Sequence, residues 1–354
     1  MTATDSPERY ALTGRLITPG RDIPRGVVAV EGDRIAFAGD EHEFTFFDES
    51  DTFELRQSPE GTIIIPGLID LHCHGAGGGD FPSGDPESIA TAIEYLHRSG
   101  TTTFLASLVT APRADMLAAA AVLAEFAQRG DIAGIHAEGP FLSAARCGAQ
   151  DPEHLIDPDP EFVDELIDAA AGQLRTMTYA PERPGSDALL EQLVSQGVVP
   201  SLGHTDADAD TTSASLAVAR EELSSAGVDG FTERPTVTHM FNGMAPMHHR
   251  APGAVATCLE LAARGKIIVE LVADGVHLDP VMVRTMFKLV GAESIALVTD
   301  SMAATGLEDG SYTLGPSTVT VANGQARLAS DGSLAGGTAS MLEVVRSAVA
   351  AGVD

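Results

Sequence analysis

The chain has 354 residues, 51 acidic against 21 basic, for a formal charge of −30 at neutral pH. So acidic a balance excludes nucleic acid and anionic membranes as natural partners; the lysines are Lys266 and Lys288 alone. The length accommodates a complete α/β barrel or two ordinary domains, and no apolar run reaches membrane-spanning length.

In chain order, residues 10–40 hold short β-rich runs around Pro-Gly and Gly-Asp turns. They predict a small antiparallel sheet, with "EGDR" as one hairpin turn. Residues 1–60 are expected to form this small β domain. The opening "MTATDSPERY" lacks the basic and then apolar regions of a secretory signal. Cys73, Cys147 and Cys258 share no close spacing, which argues against a disulfide scaffold and for a reducing, cytoplasmic setting.

From residue 61 the texture changes. Buried-strand runs alternate with helical stretches: "TIIIPGLIDLHCH" precedes "ESIATAIEYLHRSG", and "TTTFLASLVT" precedes "ADMLAAAAVLAEFAQRG". Counting from "IIIPGLID" (63–70) to "SIALVTD" (294–300) gives eight strands, nearly all followed by helical texture. That number of βα units predicts a parallel (β/α)8 barrel of the TIM type over residues 61–354. An open doubly wound sheet is the alternative, but no phosphate-binding GxGxxG or P-loop turn follows any strand. Residues 308–334 alternate in the β manner around an Asn-Gly turn and read as a hairpin excursion before the last helix.

The stretch "GLIDLHCHGAGGGD" (67–80) places His72 and His74 two apart at the end of the first barrel strand. On a strand they share a face and Cys73 turns away. Chemistry in such barrels sits at the C-terminal strand ends. Those ends carry His72, His74, His136, Glu138, His204, His239, Asp274, His277 and Asp300. Any one has an ordinary structural reading; Glu138 or Asp300, for example, could cap a helix. Recurrence at six strand ends outweighs that reading. Imidazole and carboxylate donors suit Zn²⁺ or Fe²⁺. A carboxylated lysine bridging two ions is unavailable, since no lysine precedes residue 266. Glu138 is the natural substitute, able to bind one ion or span two.

The blocks "PGLIDLHCHG", "HAEGPFLSAARCGAQDPEHL", "SLGHTDAD", "THMFNGMAPMHHRAPG", "ADGVHLDP", "LVTDSMAATG" and "LAGGTASM" resemble the N-acetylglucosamine-6-phosphate deacetylase family of the amidohydrolase superfamily. The resemblance runs in order over essentially the whole chain. It implies metal-dependent hydrolysis of N-acetylglucosamine 6-phosphate to glucosamine 6-phosphate and acetate. Glu138, His204 and His239 would be the principal ligands, with His72 and His74 holding a second ion. One or two divalent ions are implied, Zn²⁺ first, with Fe²⁺ or Mn²⁺ as alternatives. Asp300 matches the catalytic acid/base and His277 the group that polarises the carbonyl. Ala149, Gln150, Asn242, Gly243 and Arg250 match sugar and phosphate contacts. Leu334, Ala335 and Gly336 match a loop over the acetyl group. Arg250 would reach a neighbouring subunit's site, implying a homodimer.

Two departures from the family stand out. Gln150 replaces the family's usual histidine, and glutamine carries no positive charge toward a phosphate. This keeps open another substrate such as N-acetylgalactosamine 6-phosphate. The family also continues past "RSAVAAGVD" into returning strands of a small β-sandwich, so that domain's C-terminal half is expected to be missing here and stability to be lower. A non-catalytic sugar-phosphate-binding protein is the reading from a different class.

Overall fold

A computed structural model describes residues 7–227 and 234–353; most of the opening segment read for a leader lies outside the described residues. The chain divides into two compact units, Met1–Gly67 and Leu68–Asp354.

The first unit is a five-stranded sheet. Strand β1 (Arg9–Thr18) pairs antiparallel with β2 (Arg21–Glu31), which pairs with β3 (Arg34–Asp40). Gly20 and Gly32 make the two turns at positive φ, a region glycine enters without steric cost. Strands β4 (Glu54–Arg56) and β5 (Ile63–Ile64) both lie parallel to β1. Ile63 and Ile64 thus pair within the small sheet, and the first strand of the second unit begins at Leu68.

The second unit contains eight parallel strands whose order in the sheet is their order in the chain. First comes β6 (Leu68–Cys73), followed by a short hairpin of β7 (Gly75–Ala76) and β8 (Gly79–Asp80). Then come β9 (Thr101–Leu108), β10 (Gly134–Glu138), β11 (Leu174–Tyr179), β12 (Val199–Leu202), β13 (Thr236–Val237), β14 (Ile268–Leu271) and β15 (Ile295–Leu297). A helix follows each of the eight before the next begins or the chain ends. Three of them, starting at Pro86, Pro160 and Pro280, begin with an Asp-Pro pair. The Asp side chain accepts a first-turn N–H and the proline occupies the first helical position. Beyond β15 the seam closes on β6: Asp300 N donates to His72 O at 2.9 Å, and His74 N to Ser301 O at 2.7 Å. The apolar core lies between strands and helices and includes Leu96, Phe104, Leu123, Phe162 and Leu193.

Inside the barrel the layer next to the strand ends is polar. Each strand, or the residue or two beyond it, contributes a buried polar side chain to this layer: Asp70, Ser107, His136, Thr178, Ser201, Thr238, Glu270 and Thr299. Buried polar groups persist only when partnered. Here Ser107, His136, Thr178, Thr238 and Ser201 form one hydrogen-bonded chain with links of 2.6–2.9 Å.

The excursion expected as a hairpin is instead a three-stranded antiparallel sheet: β16 (Gly310–Leu314), β17 (Ser317–Ala322) and β18 (Gln325–Leu328). Asn323 and Gly324 both take positive φ in its second turn, as a two-residue hairpin requires. The third strand forms because a small separate core of Leu314, Val319, Val321 and Ala326 rewards it. No helix among the described residues is long and apolar enough to cross a membrane.

Candidate active site

His72 and His74 do share a face, with Nε2 atoms 3.0 Å apart; Cys73 points away, its thiol toward Leu105 O. Glu138, at the end of β10, turns Oε1 toward His239 Nε2 (2.8 Å) and His204 Nε2 (3.0 Å). Its Oε2 faces His74 Nε2 at 3.2 Å. Two groups of ligand atoms each lie within 4.8 Å of one another: His72, Glu138 and His239, and His72, His74 and Asp300. His204 joins the first, 3.1 Å from His239 Nε2.

The outer nitrogens decide what these atoms can bind. His204 Nδ1 faces Arg146 O at 2.8 Å, and His74 Nδ1 faces Ser107 O at 3.2 Å. A carbonyl only accepts, so Nδ1 carries the proton and Nε2 presents a lone pair inward. His72 Nδ1 faces Glu270 Oε2 at 3.4 Å and is held the same way. Lone pairs and carboxylate oxygens converging at about 3 Å repel unless a cation lies among them, and outer hydrogen bonds of this kind are the usual support of metal-bound imidazoles. The donor set fits a divalent transition ion.

Protons compete with a cation for these same atoms. Burial would raise Glu138, but the surrounding imidazoles hold it well below the ordinary carboxylate range. Asp300 is likewise lowered: burial opposes, and the His72 charge and the His74 hydrogen bond prevail. Burial would depress His74, yet its bonds to Asp300 and Glu138 push it up to about 9. His136 is driven well below its ordinary value by burial and serves the polar layer as a neutral ring.

Asp300 completes the site from beyond β15, with Oδ1 3.3 Å from His74 Nε2 and 3.5 Å from His72 Nε2. His277 Nε2 lies 3.7 Å from Asp300 Oδ2. Its ring is fixed by Asp274, which accepts from His277 Nδ1 and from the His277 backbone N–H, both at 2.8 Å. His204, His239 and Asp300 all have positive φ, +46°, +26° and +51°. Non-glycine residues occupy that region at a cost of about 1–3 kcal/mol each, and only where the surroundings impose it. Three such residues within one cluster mark it as a place where geometry outranks stability.

A cavity of about 240 Å³ opens on this cluster. Of the candidates from the sequence, Ala149, Gln150, Asn242, Gly243, Leu334 and Gly336 line it, together with His74, Glu138, His204, His239, His277 and Asp300. Gly243 must be glycine, because a Cβ there would lie 2.7 Å from His204 Nδ1. Three candidates lie elsewhere. His72 is fully buried beneath the floor. Ala335 is turned into the core of the excursion sheet, since its N–H bonds to Ala326 O. Arg250 is exposed in the loop after β13 and does not line the cavity. Gln150 spends both polar ends on the protein: Nε2 donates to Glu138 Oε2 at 2.5 Å and Oε1 accepts from Thr110 N at 2.7 Å. Sequence reasoning missed Leu314, Ser333 and Gly148 in the lining, and Asp70 and Glu270 beneath it. Asp70 stands two residues before His72 on the same strand face, which is a readable signal; Leu314 and Ser333 offer none.

Histidines and carboxylates gathered at the C-terminal ends of a parallel eight-stranded barrel define a metal-dependent hydrolase barrel. The chain belongs to the amidohydrolase family, whose model matches residues 63–354. It is 33% identical over 338 residues to the N-acetylglucosamine-6-phosphate deacetylase of Bacillus subtilis, covering 94% of this chain and 80% of that protein. It is also 33% identical over 294 residues to an N-acetylgalactosamine-6-phosphate deacetylase of Escherichia coli, covering 82% and 73%. Among solved structures, a mutant N-acetyl-D-glucosamine-6-phosphate deacetylase from Mycobacterium smegmatis, in complex with N-acetyl-D-glucosamine-6-phosphate, superposes with a TM-score of 0.86 at 36% identity over 98% of this chain and 85% of that one.

Proposed function

We propose that this chain hydrolyses the acetamide of N-acetylglucosamine 6-phosphate to glucosamine 6-phosphate and acetate. The observation that carries the reading is Asp300, a buried carboxylate whose Oδ1 lies 3.3 Å from His74 Nε2, in a cavity whose floor is a cation-ready cluster of Glu138 and four imidazoles. The relatives named for this reaction support it.

A divalent ion held by Glu138, His204 and His239, with His72 and His74 as a second position, would supply Lewis acidity at the carbonyl. We favour Zn²⁺ for this nitrogen-rich donor set, with Fe²⁺ or Mn²⁺ as alternatives. Asp300 takes a proton from the attacking water as the new C–O bond forms. It then delivers that proton to the amine nitrogen as the C–N bond breaks. His277, whose proton-binding is strengthened by Asp274 and Asp300 against burial, donates from Nε2 to the oxygen that gains charge. Asn242 and Gly243 contact the sugar. Ala149 and the Leu334–Gly336 segment cover the acetyl end, with Ala335 acting from behind the wall.

Among the described residues no lysine or arginine lines the cavity, although the substrate is a phosphate. This supports a homodimer in which Arg250, exposed here, reaches a neighbouring copy's cavity. The free cysteines, Cys73, Cys147 and Cys258, support a cytoplasmic setting. N-acetylgalactosamine 6-phosphate is the second reading, supported by the relative named for that substrate.

The test is acetate release from each sugar phosphate, and from unphosphorylated N-acetylglucosamine, by protein stripped of metal and restored with each ion. Release that needs both metal and N-acetylglucosamine 6-phosphate is the expected result. Faster turnover of the galactosamine isomer would move the second reading forward. No release with any ion, from folded protein, would sink the catalytic reading and favour a binding protein.

A further inference from the structure

The lining of the cavity is almost wholly polar or glycine; its apolar side chains are Ala149, Leu314 and Leu334. The reaction proposed above leaves one part of the scissile group with no polar partner, the acyl methyl. Of the three substituents on the carbonyl carbon, oxygen faces His277 and nitrogen faces Asp300. The methyl must meet an apolar wall, because a polar wall would be desolvated by it without compensation.

Leu314 is the only apolar liner contributed by the excursion sheet, and its position is built rather than incidental. It ends β16, is buried, and packs in one cluster with Val109, Met302 and Ala335, against which Ala149 also rests. The next residue, Gly315, has φ +54°, and its N–H donates to both oxygens of the buried Asp80, each at 3.2 Å. A Cβ on Gly315 would lie 2.8 Å from Val109 Cγ2, so the turn is pressed against the end of β9. Two constraints on either side of the peptide bond therefore aim Leu314. The same wall adjoins the acid/base: Gly337 N donates to Asp300 O at 2.6 Å, and a Cβ on Gly336 would lie 2.9 Å from that oxygen.

We infer that Leu314 is a specificity-determining residue that closes the acyl pocket and restricts the substrate to a two-carbon acyl group, with Asp80 as its positioning residue. The inference rests on the function proposed above. One methylene in an apolar pocket discriminates by about 10–200-fold. Shortening Leu314 creates that room, so the longer acyl group gains relative to acetyl.

The experiment measures kcat/KM for N-acetyl- and N-propionyl-glucosamine 6-phosphate with the metal-loaded parent and with Leu314→Ala. The expected result is a propionyl-to-acetyl ratio raised about tenfold or more in the variant. Leu314→Val, a smaller truncation that spares the packing, gives an intermediate rise and serves if the alanine variant does not fold. Folded variants that lose both activities in parallel, with the ratio unmoved, would overturn the assignment while leaving the deacetylase reading intact. A folded, metal-loaded parent that hydrolyses neither compound would overturn both.

Discussion

Gln150 holds Glu138 by its outer oxygen: the amide Nε2 donates to Glu138 Oε2 at 2.5 Å. The amide cannot flip, because its Oε1 accepts from the Thr110 backbone N–H, which can only donate. Glu138 is thereby turned so that Oε1 faces His204 and His239. Hydrogen bonds to ligating groups are worth about 10–100-fold in metal affinity. Gln150→Ala is expected to weaken ion binding by that factor, measured by competition with a chromogenic chelator. An unchanged affinity would show that Glu138 needs no such support.

In the reaction proposed above Asp300 moves a proton, and the isosteric amide cannot. Asp300→Asn keeps a carbonyl oxygen facing His72 and His74 but has no site for the proton. General acid–base catalysis contributes about 10²–10⁴-fold, so turnover falls by that range while calorimetry still detects sugar-phosphate binding. A variant that turns over at the parent rate would remove Asp300 as the base.

The left-handed backbone at Asp300 (φ +51°) has a cost that substitution can expose. Glycine enters this region freely and alanine does not, so at one position the two differ by about 1 kcal/mol. Asp300→Gly is expected to be more stable than Asp300→Ala by that amount in urea unfolding of the metal-free protein. The opposite order would mean that the backbone there is unstrained.

The thiols differ in access. Cys73 and Cys258 are buried, and burial pushes the Cys258 thiol up to about 12. Cys147 is partly exposed, and burial raises its thiol as well. A raised thiol holds less thiolate at any given pH, so its reaction is slowed and accelerates as pH rises. An aromatic disulfide reagent at pH 8 is expected to modify one thiol, more slowly than free cysteine, and all three after unfolding. Fast modification of two or more in the folded state would contradict the burial described.

The barrel and its strand-end chemistry were legible because both obey short periods. Alternation on a strand placed His72 and His74 on one face, and the βα rhythm ordered the remaining donors around one ring. The polar layer beneath was not legible: Ser107 and Glu270 each sit singly within apolar runs, Thr178 alternates with Thr176 as on any strand, and only closure of the barrel brings them together. Gln150 matches a substrate contact through the family resemblance, and the loop sequence around it gives no sign that Thr110 and Glu138, 40 and 12 residues away, claim its amide. The third strand of the excursion was missed since one turn signal was visible and the small core rewarding another strand was not. Ile63 and Ile64 look like barrel strand in sequence, and only their register with β1 assigns them to the other sheet.

The cavity without lysine or arginine in its lining, set in a chain of charge −30, has a consequence for encounter kinetics. A dianionic sugar phosphate approaches through a field that opposes it, the reverse of the steering by which many enzymes gather charged substrates. Salt shortens the reach of that field, from about 30 Å at 0.01 M to about 8 Å at 0.15 M. The rate of capture for such a substrate is therefore expected to climb as ionic strength rises, while an uncharged sugar feels no difference.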